Sequence, residues 1–460
     1  MFKLKRPKPA LPDSFFWTWD HSTNWMLDDP GLQTFGSSNV YLKKTETFVE
    51  DYRRLSDFAA GIGVGGIVIW GFLRDTHGGP EASKRVASHA MQKGVRIMPG
   101  LGTTSYEGPY YEGNNPYNIS TFVKNNPAAG APGGVCPSSP LFKEWIEEGI
   151  DWLFNTFEIG GANLENGDFF LCDCKDCRAH KENWPAGDPE FFRIQALSYK
   201  IPLEHLARIT GRKKNLLITW ATYTGFLPGV EQGRMTMTPY MGCDRPVLLD
   251  HIKDLHHTQW TLTRMLRQEP LPLTAYLDEG KPGAIFDNDN WPKDLSSPVE
   301  NSVGFIHQGS QWRGHSRYDQ IISTIKEGCL RAHLSGLTGV SIHGEVTAMH
   351  IPNALNYLAF SHFIHWPEDT LRDFGRKTLG EVFENEAEGE AFMEIVAHWD
   401  AGTLTQDHIA RTTAIRKQLL SHVLIGVKAD LGTDMHRLRF WCWLHKMVTG
   451  IRELHTAGFY

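Results

Sequence analysis

No stretch of this 460-residue chain is long and apolar enough to read as a membrane span, and no half of it is basic. A spanning helix needs about 20 consecutive apolar residues. Net charge is -7 at pH 7, which withholds the electrostatic footprint of a nucleic-acid binder. Cysteine is scarce: seven residues, an odd count with three clustered, which is not a disulfide framework. Several catalytic signatures are also missing. There is no phosphate-binding Walker loop, no H-E-x-x-H, and no G-x-S-x-G elbow, which argues against a serine hydrolase. The Gly61-Ile-Gly63-Val-Gly65 run precedes a strand instead of following one, so it reads as a turn and not a dinucleotide fingerprint. Internal repeats and low-complexity segments are absent. The basic N-terminus lacks a following apolar run and is broken by Pro7, Pro9 and Pro12, so no leader is read. The chain as given is expected to be cytoplasmic, or periplasmic or secreted if a leader has been removed. Oligomeric state is not legible, and a homo-oligomer is compatible with the composition.

What is present is an alternation. Short β-branched or aromatic runs end in polar or glycine residues: Phe15–Asp20, Gly65–Phe72, Val95–Gly102, Gly161–Asp168, Leu216–Tyr223, Met235–Tyr240, Val303–Gln308 and Gly339–Glu345. Amphipathic stretches lie between most of them, including Thr45–Ala60, Pro80–Lys93, Pro140–Phe157, Phe191–Thr210 and Tyr318–Ser335. Strand–helix alternation with about eight strands predicts a (β/α)₈ TIM barrel. Within 241–302 the spacing predicts a helix over Val247–Arg267 and then a Pro/Gly/Asp-rich loop. Beyond residue 375 strand-like runs cease, and Ala387–Trp399, Gln406–Val423 and Met435–Leu454 have helical spacing. The expected division is a barrel over 1–375 and a C-terminal helical appendage over 376–460. The Gly/Asn/Pro-rich 112–135 stretch reads as a long loop over the barrel mouth.

Polar and aromatic residues gather where the proposed strands end. Trp17 and Asp20 mark the first; Trp70, Arg74, Asp75 and His77 the second; Tyr106, Tyr110 and Tyr111 follow the third. Glu165 and Asp168 end the fourth, and Trp220 and Tyr223 the fifth. His307, Gln308, Trp312 and Arg313 mark the seventh, and His343 and Glu345 the eighth. In such a barrel these ends converge on the face that carries active sites. Arg74 is suited to clamping a uronate carboxylate or sulfate, or else to pairing with Asp75. Tyr106, Tyr110, Tyr111, Trp220 and Trp312 offer stacking faces for sugar rings, or else pack in the core.

The strongest single signal is Cys172-Asp-Cys174-Lys-Asp-Cys177, a C-x-C-x-x-C cluster seven residues after Glu165. Structural zinc takes four N/S ligands, and these thiols supply three. Cys136, before the helix that leads into strand four, is the expected fourth, with His180 as the fallback. Four thiolates leave no open position, so the zinc expected here is structural.

A lone early cysteine followed by C-x-C-x-x-C beyond a strand-four glutamate is similar to the zinc site of family 42 β-galactosidases. The match covers Cys136, Cys172, Cys174, Cys177 and Glu165. It implies that Glu165 is the general acid/base. The usual Asn-Glu pair is replaced here by Asn163-Leu164-Glu165, and no strand-seven nucleophile can be placed. The cluster also resembles the α-glucuronidase-like and hexosaminidase-like barrels of bacterial polysaccharide degradation, as does the segment from Asn356 to Trp366 after the strand-eight glutamate. The superfamily is carried over, not the substrate.

Glycoside hydrolysis needs two carboxyl groups, one to protonate the leaving oxygen and one to attack or to activate water. Glu165 is the candidate acid, and Glu345, after Gly344, the candidate nucleophile or base. Asp168 is an alternative acid, partner or loop cap. His343 has the strand parity to orient Glu345. The leading expectation is a carbohydrate-active glycoside hydrolase. The alternatives are a barrel that binds a glycan or sugar acid without cleaving it, and a lyase or isomerase working through a catalytic metal.

Overall fold

The computed structural model describes residues 2–26, 43–165, 172, 174–179, 190–213, 215–221, 226–231, 234–239, 273–276, 303–306, 317–334, 336–425 and 431–456. Eight parallel strands close into a barrel: β1 (Phe15–Trp19), β2 (Gly66–Trp70), β3 (Arg96–Gly102), β4 (Gly161–Glu165), β5 (Leu217–Ala221), β6 (Leu273–Tyr276), β7 (Val303–Ile306) and β8 (Gly339–His343). Each strand pairs with its neighbours in sequence, and β1 closes on β8 through Phe15–Ser341 and Trp17–His343. The expected (β/α)₈ architecture is therefore present.

One strand is not where the sequence places it. Of the Met235–Tyr240 run, expected as the sixth barrel strand, the described residues 235–239 lie in Arg234–Pro239, which pairs antiparallel with Phe226–Glu231 as a separate hairpin. The sixth barrel strand is Leu273–Tyr276, inside the stretch expected to be loop. The helix expected over Val247–Arg267 lies outside the described residues. The 112–135 stretch is more structured than a loop. It holds a helix over Ile119–Asn125, capped by the Asn118 side chain, and a two-stranded pair of Gly130–Ala131 with Gly134–Val135.

Helices α1 (Thr45–Ile62), α2 (Gly79–Gln92), α3 (Pro140–Thr156), α4 (Glu190–Arg212), α5 (Ile322–Leu334) and α6 (Ile351–His365) surround the barrel. The glycine run after α1 is its C-terminal cap, with Gly63 left-handed at φ 80°. Helix α6 is buried at every residue. It lies between the barrel and the C-terminal helices, so it is covered all round instead of on one stripe, and its polar residues Asn353, Asn356, Ser361, His362 and His365 are buried with the rest. The chain then continues through Leu371–Asp373, Phe374–Leu379 and Gly380–Phe383 into α7 (Glu386–Asp400), α8 (Gln406–Ile425) and α9 (Leu431–Thr456). The expected boundary at 375/376 falls within that continuous run. One contiguous core joins Ile342 of β8 to Phe360, Phe374, Phe392 and Trp441. The N-terminal segment fastens both parts: Leu4 N donates to Gly61 O at 2.8 Å, and Arg6 pairs with Glu381 at 3.1 Å.

Candidate active site

Strands buried on both faces do not reveal their inward side in sequence; contacts do. On β2 the inward residues include Val68 and Trp70, on β1 Phe15, Trp17 and Trp19, and on β7 Phe305. Gly100 of β3 makes room for them: a Cβ there would lie 2.3 Å from the Trp70 ring. Trp70 Nε1 donates to Asn163 Oδ1 at 3.1 Å, and Asn163 Nδ2 donates to Thr219 Oγ1 at 2.8 Å. That chain crosses the interior from β2 through β4 to β5. Glu165, two residues beyond Asn163, shares its inward parity and stands one layer nearer the C-terminal rim.

Around this interior the rim residues divide. Tyr106 belongs to the mouth, with its ring 5.5 Å from Trp70 and 6.2 Å from Trp19. It is held in left-handed backbone (φ 55°), as is Glu107 (φ 61°), at a cost of about 1–3 kcal/mol each. The Glu107 carboxylate offsets this by accepting from Asn118 Nδ2 at 2.9 Å and Ser120 Oγ at 3.0 Å. His343 also faces inward, with its ring 5.0 Å from Trp17 and 5.2 Å from Phe305.

Arg74 Nε lies 2.7 Å from Asp20 Oδ2, and its Nη1 pairs with Glu112. Its guanidinium also sits 4.3 Å over the Tyr111 ring. Arg74 therefore pairs with Asp20, not Asp75, and its arms are engaged within the protein instead of being held out as an anion clamp. Burial pushes the Asp20 carboxyl up, but Arg74, His21 and His77 outweigh it and hold it well below the usual carboxylate range. Asp75 instead accepts from Tyr110 Oη and from Asn114 N at 3.0 Å.

Three expected substrate contacts have packing roles. Tyr110 is buried, its hydroxyl spent on Asp75. His77 stacks face to face on Phe48 at 3.6 Å and its Nε2 is 2.8 Å from Gly71 O; burial lowers its pKa. Trp220 has the outward parity on β5 and packs on Tyr199 of α4, so the inward residue at this level is Thr219. Asp168, His307 and Trp312 lie outside the described residues, as do His180, Tyr223, Gln308 and Arg313.

Glu345 is a tightly held carboxylate. It accepts from Trp19 N at 3.0 Å, Ser22 Oγ at 2.9 Å and Arg317 Nη2 at 3.3 Å. Both partners of its ion pair are 0% exposed. It ties the end of β8 to the loop after β1. His343 Nδ1 is 3.9 Å from Glu345 Oε1.

Asn163, Thr219 and Trp19 are interior residues of the site that no motif or strand-end pattern singles out. The signal existed for Asn163: a polar side chain inside a buried strand, two residues before a carboxylate, shares that carboxylate's face.

The thiol cluster forms as expected from spacing. The sulfurs of Cys136, Cys172, Cys174 and Cys177 all lie within 4.8 Å of one another. Cys136 Sγ is 3.6 Å from both Cys174 Sγ and Cys177 Sγ. A tetrahedral ion with ~2.3 Å metal–sulfur bonds has sulfurs about 3.8 Å apart, so these residues fit such an ion. Ser138 Oγ lies 3.1 Å from Cys177 Sγ, and Cys177 N donates to Cys174 Sγ at 3.4 Å. Hydrogen bonding from Cys172 and its neighbours lowers the Cys177 thiol to about 5, whereas burial raises Cys136 to about 11.

No protein-family model matches the chain, and no curated protein matches it. Among solved structures it is similar to the PgaB (BpsB) glycoside hydrolase domain from Bordetella bronchiseptica, at 12% identity and TM-score 0.40, over 77% of this chain and 98% of that one. It is also similar to the cyclic α-maltosyl-(1→6)-maltose hydrolase from Arthrobacter globiformis, at 10% identity and TM-score 0.38, over 78% of this chain and 83% of that one. A maltogenic α-amylase, AmyB from Thermotoga neapolitana, matches at 9% identity and TM-score 0.36, over 77% and 76%. Similarity at this level leaves the chemistry to be read from the chain's own residues.

Proposed function

We propose that this barrel is a carbohydrate-active enzyme, a glycoside hydrolase, with Glu165 as its proton donor. The observation that carries the reading is the position of Glu165. It ends β4 on the inward column, one layer above the Trp70–Asn163–Thr219 chain and on the barrel interior that Trp17 and Trp19 line. Apolar sugar faces stack on indole and phenol rings, and a carboxyl at a strand's C-terminal end is where barrels perform chemistry. Protonation of the glycosidic oxygen is the step assigned to Glu165. Glu345 remains the second carboxylate proposed, and its three donors support an anchoring role for it as well. Cys136, Cys172, Cys174 and Cys177 would hold a zinc ion that stabilises the loop after β4 and takes no part in bond cleavage.

A second reading is a barrel that binds a glycan or sugar acid without cleaving it. It is favoured by the engagement of two mouth carboxylates with arginines, Asp20 with Arg74 and Glu345 with Arg317. Aryl glycosides and oligosaccharides incubated with wild type and Glu165→Gln separate the two. Turnover in wild type, lost in the variant, supports the enzyme. Saturable binding of the same sugars without turnover supports the binder and overturns the hydrolase.

A further inference from the structure

We propose that Glu394, His398 and His408 form a second metal site, for a divalent transition ion, far in sequence from the thiol cluster and independent of it. One donor atom from each of the three lies within 4.8 Å of the others. Glu394 and His398 are one turn apart on α7, so they share a face. His408 is the third residue of α8, across the short connection from Ala401 to Thr405. The two imidazoles are 4.4 Å apart between centroids, tilted by 31°.

Each imidazole has its Nδ1 engaged by a neighbouring threonine, which leaves Nε2 as the nitrogen open to an ion. His398 Nδ1 is 2.8 Å from Thr403 Oγ1, and that hydroxyl donates to His398 O. In the tautomer whose Nδ1–H donates to that hydroxyl, the lone pair of Nε2 is left for an ion. A ligating histidine commonly fixes its other nitrogen this way. His408 plays an unusual part. Thr405 Oγ1 accepts from His408 N at 3.4 Å, and Thr405 N donates to His408 Nδ1 at 3.2 Å. This is a reciprocal helix cap with imidazole in the place of the usual carboxylate. Ligation through Nε2 moves the His408 proton to Nδ1 and releases Thr405 N–H to water, to which Thr405 is exposed.

The competing partner of Glu394 is Arg411 at 3.2 Å, both about half exposed, an ion pair of little worth. Two imidazoles and a carboxylate suit zinc, nickel or copper rather than calcium or magnesium. Bound there, the ion would clip the end of α7 to the start of α8.

The test uses full-length, tag-free protein dialysed against a mild chelator until only tightly held zinc remains, then titrated with Ni(II) by calorimetry. Wild type is expected to take one equivalent of Ni(II). His398→Ala and His408→Gln should lose that equivalent, and Glu394→Gln should bind at least tenfold more weakly. Tightly held zinc, measured by elemental analysis, should be the same in all four proteins. No Ni(II) uptake by wild type, or unchanged uptake by His398→Ala, overturns the proposal.

Discussion

Cys136 Sγ lies 3.6 Å from Cys177 Sγ across a separation of 41 residues. That closure joins the segment before α3 to the loop after β4. If a metal holds it, purified protein should contain near-stoichiometric zinc by elemental analysis. Cys136→Ser should lose the metal as completely as Cys172→Ser. Either change should lower the unfolding free energy by an amount on the order of several kcal/mol, because metal binding and folding are coupled. Wild-type stability in Cys136→Ser would sink the four-thiolate assignment.

Removing the proton donor should discriminate between leaving groups. Glu165→Ala is expected to lose about 10²–10⁴-fold in kcat on substrates with poor leaving groups. On aryl glycosides with acidic phenols the loss should be much smaller, since those need no protonation. Equal losses on both classes would assign Glu165 to another role.

Glu345 is expected to show its burial in stability. Glu345→Ala leaves Arg317 without its carboxylate in a site where both side chains are 0% exposed. Breaking such a pair from one side costs about 3–5 kcal/mol. Urea unfolding measures this. A stable Glu345→Ala protein whose turnover alone collapses would favour a purely catalytic carboxylate.

Acid should destabilise the fold in two windows. Burial lowers His362 to about 3, whereas the ordinary histidine value is about 6.5. Between those values the unfolded chain binds more protons, so stability falls as pH drops below 6.5, by up to about 1.4 kcal/mol per unit. His362→Gln should flatten that slope. Asp20, held low by Arg74, adds stability that is present above about pH 4 and lost as pH falls further. Unfolding midpoints at pH 7, 5.5 and 4.5 check the first window, and a further midpoint at about pH 3 in wild type and Asp20→Asn checks the second.

Trp220 should prove dispensable for ligand contact. Its Nε1 is buried with no hydrogen-bond partner among the described residues, and its ring faces Tyr199. Trp220→Phe is a large-to-small change in the core, so it should lower stability by about 1–3 kcal/mol and leave sugar binding intact. A large loss of affinity would return Trp220 to the mouth.

The sequence by itself determined the alternation of strands and helices, because burying both faces of a parallel strand demands runs such as Gly66-Ile-Val-Ile-Trp70. It also determined the thiol set, since C-x-C-x-x-C spacing leaves few chemistries open. It did not determine the sixth strand. Met235–Tyr240 and Leu273–Tyr276 carry comparable local propensity, and only hydrogen bonding to distant partners decides which closes the barrel and which folds onto its own neighbour. Nor did it determine which way Trp220 points, because a strand buried on both sides carries no polar alternation to mark its inner face. The partners of Arg74 and Glu345 were likewise settled by tertiary structure. Asp20 and Trp19 reach them from β1 and its following loop, and a charge or an amide finds its partner by proximity in space, which residue order along the chain does not encode.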